Sequence, residues 1–346
     1  MIKFMDDVNY VKDLDLPWEK LQGKTILVSG ASGMIGNFLI HVLLEKQIGI
    51  RVLAMGRKEE AARKVFSEYW NSDFFSFISH DINQRLGEEI LKADYVIHAA
   101  SNTHPVAYAT DPIGTITTNV IGTCNLLEYA RRKSDCRFLF ASSVEVYGEN
   151  RGDTEYFEES YSGYIDCNTL RAGYPESKRT GEALCQAYRK QYGMDIVMAR
   201  LSRTYGPTML QTDTKAISQF IKKGIRGEDI VLKSEGTQLY SYNYVADSVS
   251  GLLTVLLCGE NGNAYNIADN GSDITLRNLA CMIAEFAGTK VVFELPNQTE
   301  QVGYSKATKA LLDSSKLQKL GWKAHWDIYE GIRRTMMSLK GNEEVI

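Results

Sequence analysis

Short apolar runs alternate with amphipathic stretches through the first half of the chain. Lys24-Thr25-Ile26-Leu27-Val28 runs into Gly30 and predicts a buried strand. Asn37 to Lys46 carries apolar side chains at 38, 39, 42 and 43, the spacing of one helical face. Arg51-Val52-Leu53-Ala54-Met55 predicts a second strand and Lys58 to Tyr69 a second helix. Phe74 to Ile78 and Asp94 to His98 follow as strands, and Cys136 to Phe140 and Asp195 to Ala199 each come after a long helical stretch. Strands that alternate with helices imply an α/β fold, a doubly wound parallel sheet covered on both faces. After Pro207 the runs shorten and Gly, Asn and Asp become frequent. The expected division is an extension over 1–22 with Trp18 as its anchor, a sheet domain over 23–206, and a smaller α/β unit over 207–346 that returns some segments to the core.

The first strand and first helix are joined by Gly30-Ala31-Ser32-Gly33-Met34-Ile35-Gly36. Glycines three apart let the backbone turn tightly, approach a pyrophosphate and pack the helix on the sheet, with free N–H groups facing the phosphates. That context points to a dinucleotide. The end of the second strand should then hold an acid for the adenosine ribose, but Met55 is followed by Gly56 and Arg57. An Arg there suits a 2′-phosphate, so the cofactor is NAD or NADP with a lean to NADP. Asp81-Ile82, after the third strand, is placed to meet the adenine edge. The alternative for Asp81 is an N-cap for a helix over Asn83 to Leu91.

Composition narrows the partner. Lys+Arg 39 against Asp+Glu 43 gives −4, without the basic excess of a nucleic-acid binder. No run approaches the roughly 20 apolar residues of a membrane span, and the acidic start lacks a signal-peptide pattern. The six cysteines form no C-x-x-C pair, Cys124 and Cys136 flank an expected helix, and scattered thiols fit a reducing cytoplasm. No metal site is expected.

Three further segments belong at the same sheet edge. Ala141-Ser142-Ser143-Val144-Glu145 follows a strand, Tyr174-Pro175-Glu176-Ser177-Lys178 opens a long helix, and Ala99-Ala100-Ser101 ends another strand. With Asp111-Pro112, Asn119-Val120-x-Gly122-Thr123 and Arg203-Thr204-Tyr205-Gly206-Pro207, the chain from about Gly23 to Leu257 resembles the extended short-chain dehydrogenase/reductases. It is closest to their nucleotide-sugar epimerase, dehydratase and decarboxylase group. The resemblance implies a Rossmann-like core, a nucleotide-sugar substrate, a recycled NAD(P) and a homodimer through the Tyr174 helix and the helix near 113–131, where Leu184 and Tyr188 widen the apolar face. It implies cofactor contacts from Gly30, Ser32, Gly33, Met34, Ile35, Gly36, Arg57, Asp81, Ile82, Ala99, Ala100, Ser101, Asn119, Tyr174 and Lys178.

The chemistry agrees with the likeness. A phenol of ordinary pKa ~10 works as a base near neutrality only beside a cation. Lys178 lies one helical turn from Tyr174, and Ser143 can share the sugar hydroxyl proton. Glu145 is the second acid/base, at C5. Dehydratases of the family place a proton-donating residue before that Glu; here it is Val144, which cannot donate. Arg171, one turn before Tyr174, suits a uronate carboxylate. Decarboxylation of a nucleotide-linked uronic acid such as UDP-glucuronate is therefore favoured, with 4,6-dehydration and 4-epimerisation as alternatives. A non-catalytic NAD(P) sensor would have no use for this set. Ser142, Ser143, Arg171, Arg203, Lys215 and Tyr240 are the expected substrate contacts; Arg203 stands where the family usually has Asn, and Tyr240 where it has Arg.

Overall fold

A computed structural model describes residues 4–103, 105–294 and 307–343. A seven-stranded parallel sheet forms its centre. It is built from β1 (Thr25–Ser29), β2 (Arg51–Gly56), β3 (Phe75–Ser79), β4 (Tyr95–His98), β5 (Arg137–Ser143), β6 (Asp195–Leu201) and the strand Ala264–Ile267. The order runs β3-β2-β1-β4-β5-β6 and then Ala264–Ile267. These strands are apolar on both faces: β1, β2, β5 and β6 bury nearly every residue. Helices must therefore cover both sides. The chain winds outward from β1 through β2 to β3 and then crosses back to β4 on the other side of β1, and ligands of such sheets bind at that switch, outside the carboxyl ends of the strands.

The helices that shape this edge are α2 (Met34–Glu45), α4 (Pro105–Thr110), α5 (Pro112–Ala130) and α6 (Gly173–Tyr192). Helix α2 starts ahead of the expected Asn37 because Gly33 takes an extended backbone and caps it. Three other expectations are corrected. The second helix is broken into α3 (Glu59–Val65) and a 3-10 turn at Ser67–Tyr69, where Phe66 turns inward and is fully buried. No helix forms over 83–91; Asp81 accepts the Asn83 N–H in a local turn instead, and Gly87 interrupts the run. Cys124 lies inside α5 rather than beside it.

A smaller sheet stands over the carboxyl edge. Arg203–Tyr205 pairs with Leu239–Tyr244 in parallel, setting Arg203 opposite Tyr242, and Asp273–Thr275 and Lys309–Ala310 also pair with Leu239–Tyr244. The helix Val245–Cys258 buries every residue except Cys258. It packs against β5, β6, α2 and α1 (Phe4–Lys12), so a segment beyond residue 207 builds the core under the sheet. Residues 4–12 of the N-terminal extension are this α1, which buries Val8 and Val11. Trp18 is buried nearby, and its Nε1–H donates to Leu14 O at 2.9 Å. The carboxylate of Asp7, 1 % exposed, accepts from Tyr244 Oη at 2.6 Å and Arg334 Nε at 2.8 Å, tying α1 to the helix Ile328–Glu343.

Candidate active site

The strand ends open into a cavity of ≈ 380 Å³. One wall is the glycine turn. Gly30 holds φ +75°, a left-handed conformation that side chains resist, and a Cβ there would lie 2.8 Å from the Ala100 backbone. A Cβ on Gly36 would lie 2.3 Å from Gly30 O, so α2 docks on the turn only without one. No side chain caps α2, and its first N–H groups face the cavity with Met34, Ile35 and Gly36 in the lining. This cradle of backbone donors without side chains fits a dinucleotide pyrophosphate. Gly36→Ala is expected to lose co-purifying dinucleotide and to destabilise the fold by roughly 1–3 kcal/mol, read by mass of the bound cofactor and by urea unfolding.

The opposite wall carries the reactive groups. Tyr174 and Lys178 project from one face of α6 at i, i+4. Gly181, further along that face, lets α6 lie on β5, since a Cβ there would meet the Phe140 ring at 2.5 Å. Burial pushes the Tyr174 phenol up to about 12, against a hydrogen bond from Ser143 and the nearby charge of Arg171, which pull it down. Burial pulls Lys178 down to about 7, with Glu182 opposing. The Lys178 ammonium donates to Ala141 O at 2.8 Å and stands 6.0 Å from the Tyr174 ring. Ser143 ends β5, and its hydroxyl accepts the Glu145 N–H at 3.3 Å, capping the turn that presents Glu145.

Glu145 sits between two cations. Arg171 Nη2 pairs with it at 2.8 Å and Arg203 Nη2 lies at 3.8 Å. The Arg203 guanidinium covers the Tyr240 ring at 3.4 Å, and the Tyr240 hydroxyl donates to Ala307 O. Arg171 Nε and Nη1 and Arg203 Nη1 are buried without hydrogen-bond partners. Buried donors of this kind call for an acceptor, and Arg171 and Arg203 both line the cavity. Lys215 Nζ pairs with Asp213 at 3.0 Å and reaches Thr103 at 3.5 Å, so part of its charge is already met.

Several expected contacts fall elsewhere. Ser142 lines the cavity but turns its hydroxyl to Glu182 Oε1 at 2.5 Å, and Glu182 in turn pairs with Arg200. Asn119 is fully buried; it accepts from Ser101 Oγ at 2.8 Å and donates to Ser177 Oγ at 2.9 Å, bracing the wall from behind. The Ile82 side chain is buried against Gly122 in the core, and Asp81 is exposed with Oδ1 spent on its own turn. The Ala100 N–H donates to Ser29 Oγ at 3.3 Å, while Ala99 and Ser101 do line the cavity. Ser32 faces the end of β2 at Gly56, and Arg57 is exposed just beyond.

One participant left no signal in the spacing. Tyr108 of α4, buried, stacks on Tyr174 with centroids 4.9 Å apart and 27° between planes. Arg171 covers its ring at 4.8 Å. Its position after the β4 end, just ahead of Asp111-Pro112, was the only pointer.

Known proteins share this arrangement of strands and helices. The dTDP-glucose 4,6-dehydratase of Streptomyces venezuelae, solved with NAD bound, superposes with a TM-score of 0.81 at 24% identity, covering 93% of this chain and 98% of that one. The UDP-glucuronic acid 4-epimerase of Bacillus cereus, solved with UDP-glucuronic acid and NAD, gives 0.80 at 22% identity, with 92% and 99% covered. In sequence, UDP-glucuronic acid decarboxylase 3 of Arabidopsis thaliana is 33% identical over 312 residues, 89% of this chain and 86% of that protein. A profile of the NAD dependent epimerase/dehydratase family matches residues 26–268, and the chain belongs to that family.

Proposed function

We propose that this NAD-dependent nucleotide-sugar enzyme decarboxylates a nucleotide-linked uronic acid, with UDP-glucuronate as the best candidate. The observation that carries the reading is Arg171, which lines the cavity beside Tyr174 and keeps Nε and Nη1 buried and unpartnered, donors that a sugar carboxylate would satisfy. Val144, 5 % exposed, supplies no acid for expelling a C6 hydroxyl, which weighs against 4,6-dehydration. The relatives named UDP-glucuronic acid decarboxylase support the same choice.

A dinucleotide held at the Gly30, Gly33 and Gly36 turn would supply the hydride acceptor and donor for C4 of the sugar. Tyr174 removes the O4 proton, with Ser143 sharing it and Lys178 supplying positive charge behind the phenol. Once C4 is a ketone, the bond from C5 to the carboxylate breaks, its electron pair passes into the C4–C5 enolate, and carbon dioxide leaves. Glu145 passes one solvent proton to C5, and Tyr174 returns its proton to O4. Val144 takes no part, and Asn119 holds the wall through Ser101 and Ser177.

Within this reading Arg203, with Lys215 and Tyr240 of the 207–346 unit, grips the sugar nucleotide, and Arg57 meets the adenosine ribose, where it favours NADP over NAD. The enzyme works as a homodimer through α5 and α6: Ile113, Ile116 and Ile121 are exposed on α5. Leu184 and Tyr188 of α6 are half-buried in the single chain, the Tyr188 hydroxyl donating to Glu128 at 2.6 Å. A reducing cytoplasm suits six cysteines of which none is in a disulfide. No helix among the described residues is long and apolar enough to cross a membrane. Purified enzyme given UDP-glucuronate is expected to release carbon dioxide and form a UDP-pentose without net use of NAD(P)H, and mass of the retained dinucleotide decides between NAD and NADP. A 4-keto-6-deoxy sugar from a nucleotide hexose, with no product from UDP-glucuronate, would sink the reading.

A further inference from the structure

Arg203 and Tyr240 come from neighbouring strands of the smaller sheet. Arg203 is set opposite Tyr242, so Tyr240, two positions earlier, presents its ring on the same face. The guanidinium lies on that ring at 3.4 Å, and the Tyr240 hydroxyl donates to Ala307 O at 2.7 Å, so the platform is fixed. From there Arg203 directs Nη2 at Glu145 Oε1, 3.8 Å away, while Nη1 is buried without a partner. Arg171 meets Oε2 of the same carboxylate at 2.8 Å and keeps Nε and Nη1 unpartnered. Two guanidiniums therefore share one carboxylate, and both line the cavity. One positive charge and three buried donor nitrogens are left over. A single added carboxylate meets both needs, on donors that Glu145 does not use.

We propose that Arg203 is a second reader of the sugar carboxylate, so that a uronate is held by Arg171 and Arg203 together while Glu145 keeps its place between them. This rests on the uronate reading above and assigns Arg203 to the sugar rather than to the diphosphate. Position favours the sugar end. Glu145 serves C5 in that reading, the carboxylate is bonded to C5, and Arg203 stands 3.8 Å from Glu145. The diphosphate hangs from C1, across the ring oxygen. Charge favours the sugar end too: the balance left open is one unit, which a carboxylate closes and a diphosphate, charged on each phosphate, overshoots. A neutral nucleotide hexose would leave the spare donors of both guanidiniums unpaired, so the two together select for the acid.

The assignment is tested by calorimetric titration of the dinucleotide-bound enzyme with UDP-glucuronate, with UDP-glucose, which lacks the carboxylate, and with UDP, which lacks the sugar. Arg203→Gln is expected to bind UDP-glucuronate about tenfold or more weakly and the other two as the wild type does. Arg203→Lys, which keeps charge without the flat stacking face, falls in between, as does Tyr240→Leu, which removes the platform and leaves Arg203 itself. Unchanged UDP binding shows in each variant that the site is still formed. Equal loss for all three ligands places Arg203 on the diphosphate and overturns the proposal, as does an Arg203→Gln variant with undiminished UDP-glucuronate binding. The decarboxylase reading fails separately. Selective loss in Arg203→Gln with no carbon dioxide from the wild type supports the carboxylate role and overturns decarboxylation alone. Carbon dioxide release with equal loss for all three ligands does the reverse.

Discussion

Tyr174→Phe leaves the fold and the bound dinucleotide in place and lowers sugar turnover by about a thousandfold. The hydroxyl is the only atom removed, and in the structure it does no work for stability beyond its bond with Ser143. The ring stays sandwiched against Tyr108 at 4.9 Å, a contact phenylalanine keeps. Burial holds the phenol up at about 12, so the residue is a poor base until substrate and cofactor alter its surroundings. Its loss therefore falls on the chemical step rather than on binding: kcat drops while KM for the nucleotide sugar holds. Steady-state assay of carbon dioxide release, with circular dichroism as the fold control, checks this. Turnover within a few-fold of wild type would remove Tyr174 from the mechanism.

Lys178→Met is expected to abolish activity to a similar degree and, in the same molecule, to raise stability by roughly 1–3 kcal/mol at pH 6. Lys178 is 3 % exposed, and its ammonium meets a backbone carbonyl rather than a carboxylate. Burial lowers it from 10.5 to about 7. Between those values the unfolded chain binds the proton and the folded chain does not, so stability rises with pH across that window. The cost of the lysine is full below about pH 7 and fades toward pH 10.5. The advantage of the Met variant should shrink in step, as urea unfolding of dinucleotide-free protein at several pH values will read. A variant less stable than wild type at pH 6 would mean that the Ala141 bond outweighs the buried charge. Such a residue is kept for chemistry at the expense of the fold.

Local order is what the sequence exposes. The strand runs, the Gly30 turn and the single helical turn between Tyr174 and Lys178 are short-range patterns, and each stands where its period implies. The helix over 83–91, the alternative reading of Asp81, does not form because Asp81 makes a turn of its own and Gly87 breaks the run. Contacts between distant loops leave no period. Tyr108 reaches Tyr174 across more than one element, and the Ser142 hydroxyl is bonded to Glu182 for reasons set by how α6 lies on β5. Arg171 was expected to face a sugar carboxylate; that it already holds Glu145 depends on a 3-10 turn whose geometry no spacing rule encodes.

The carboxylate of Asp7 waits for a partner that lies 327 residues further along the chain. During synthesis α1 can settle on α2 early, but Asp7 stays without its guanidinium until Arg334 has left the ribosome. Contacts of such separation form late because the loop they close is long. The buried pair thus fastens the first described helix to the last only after almost the whole of the sequence between them has been made.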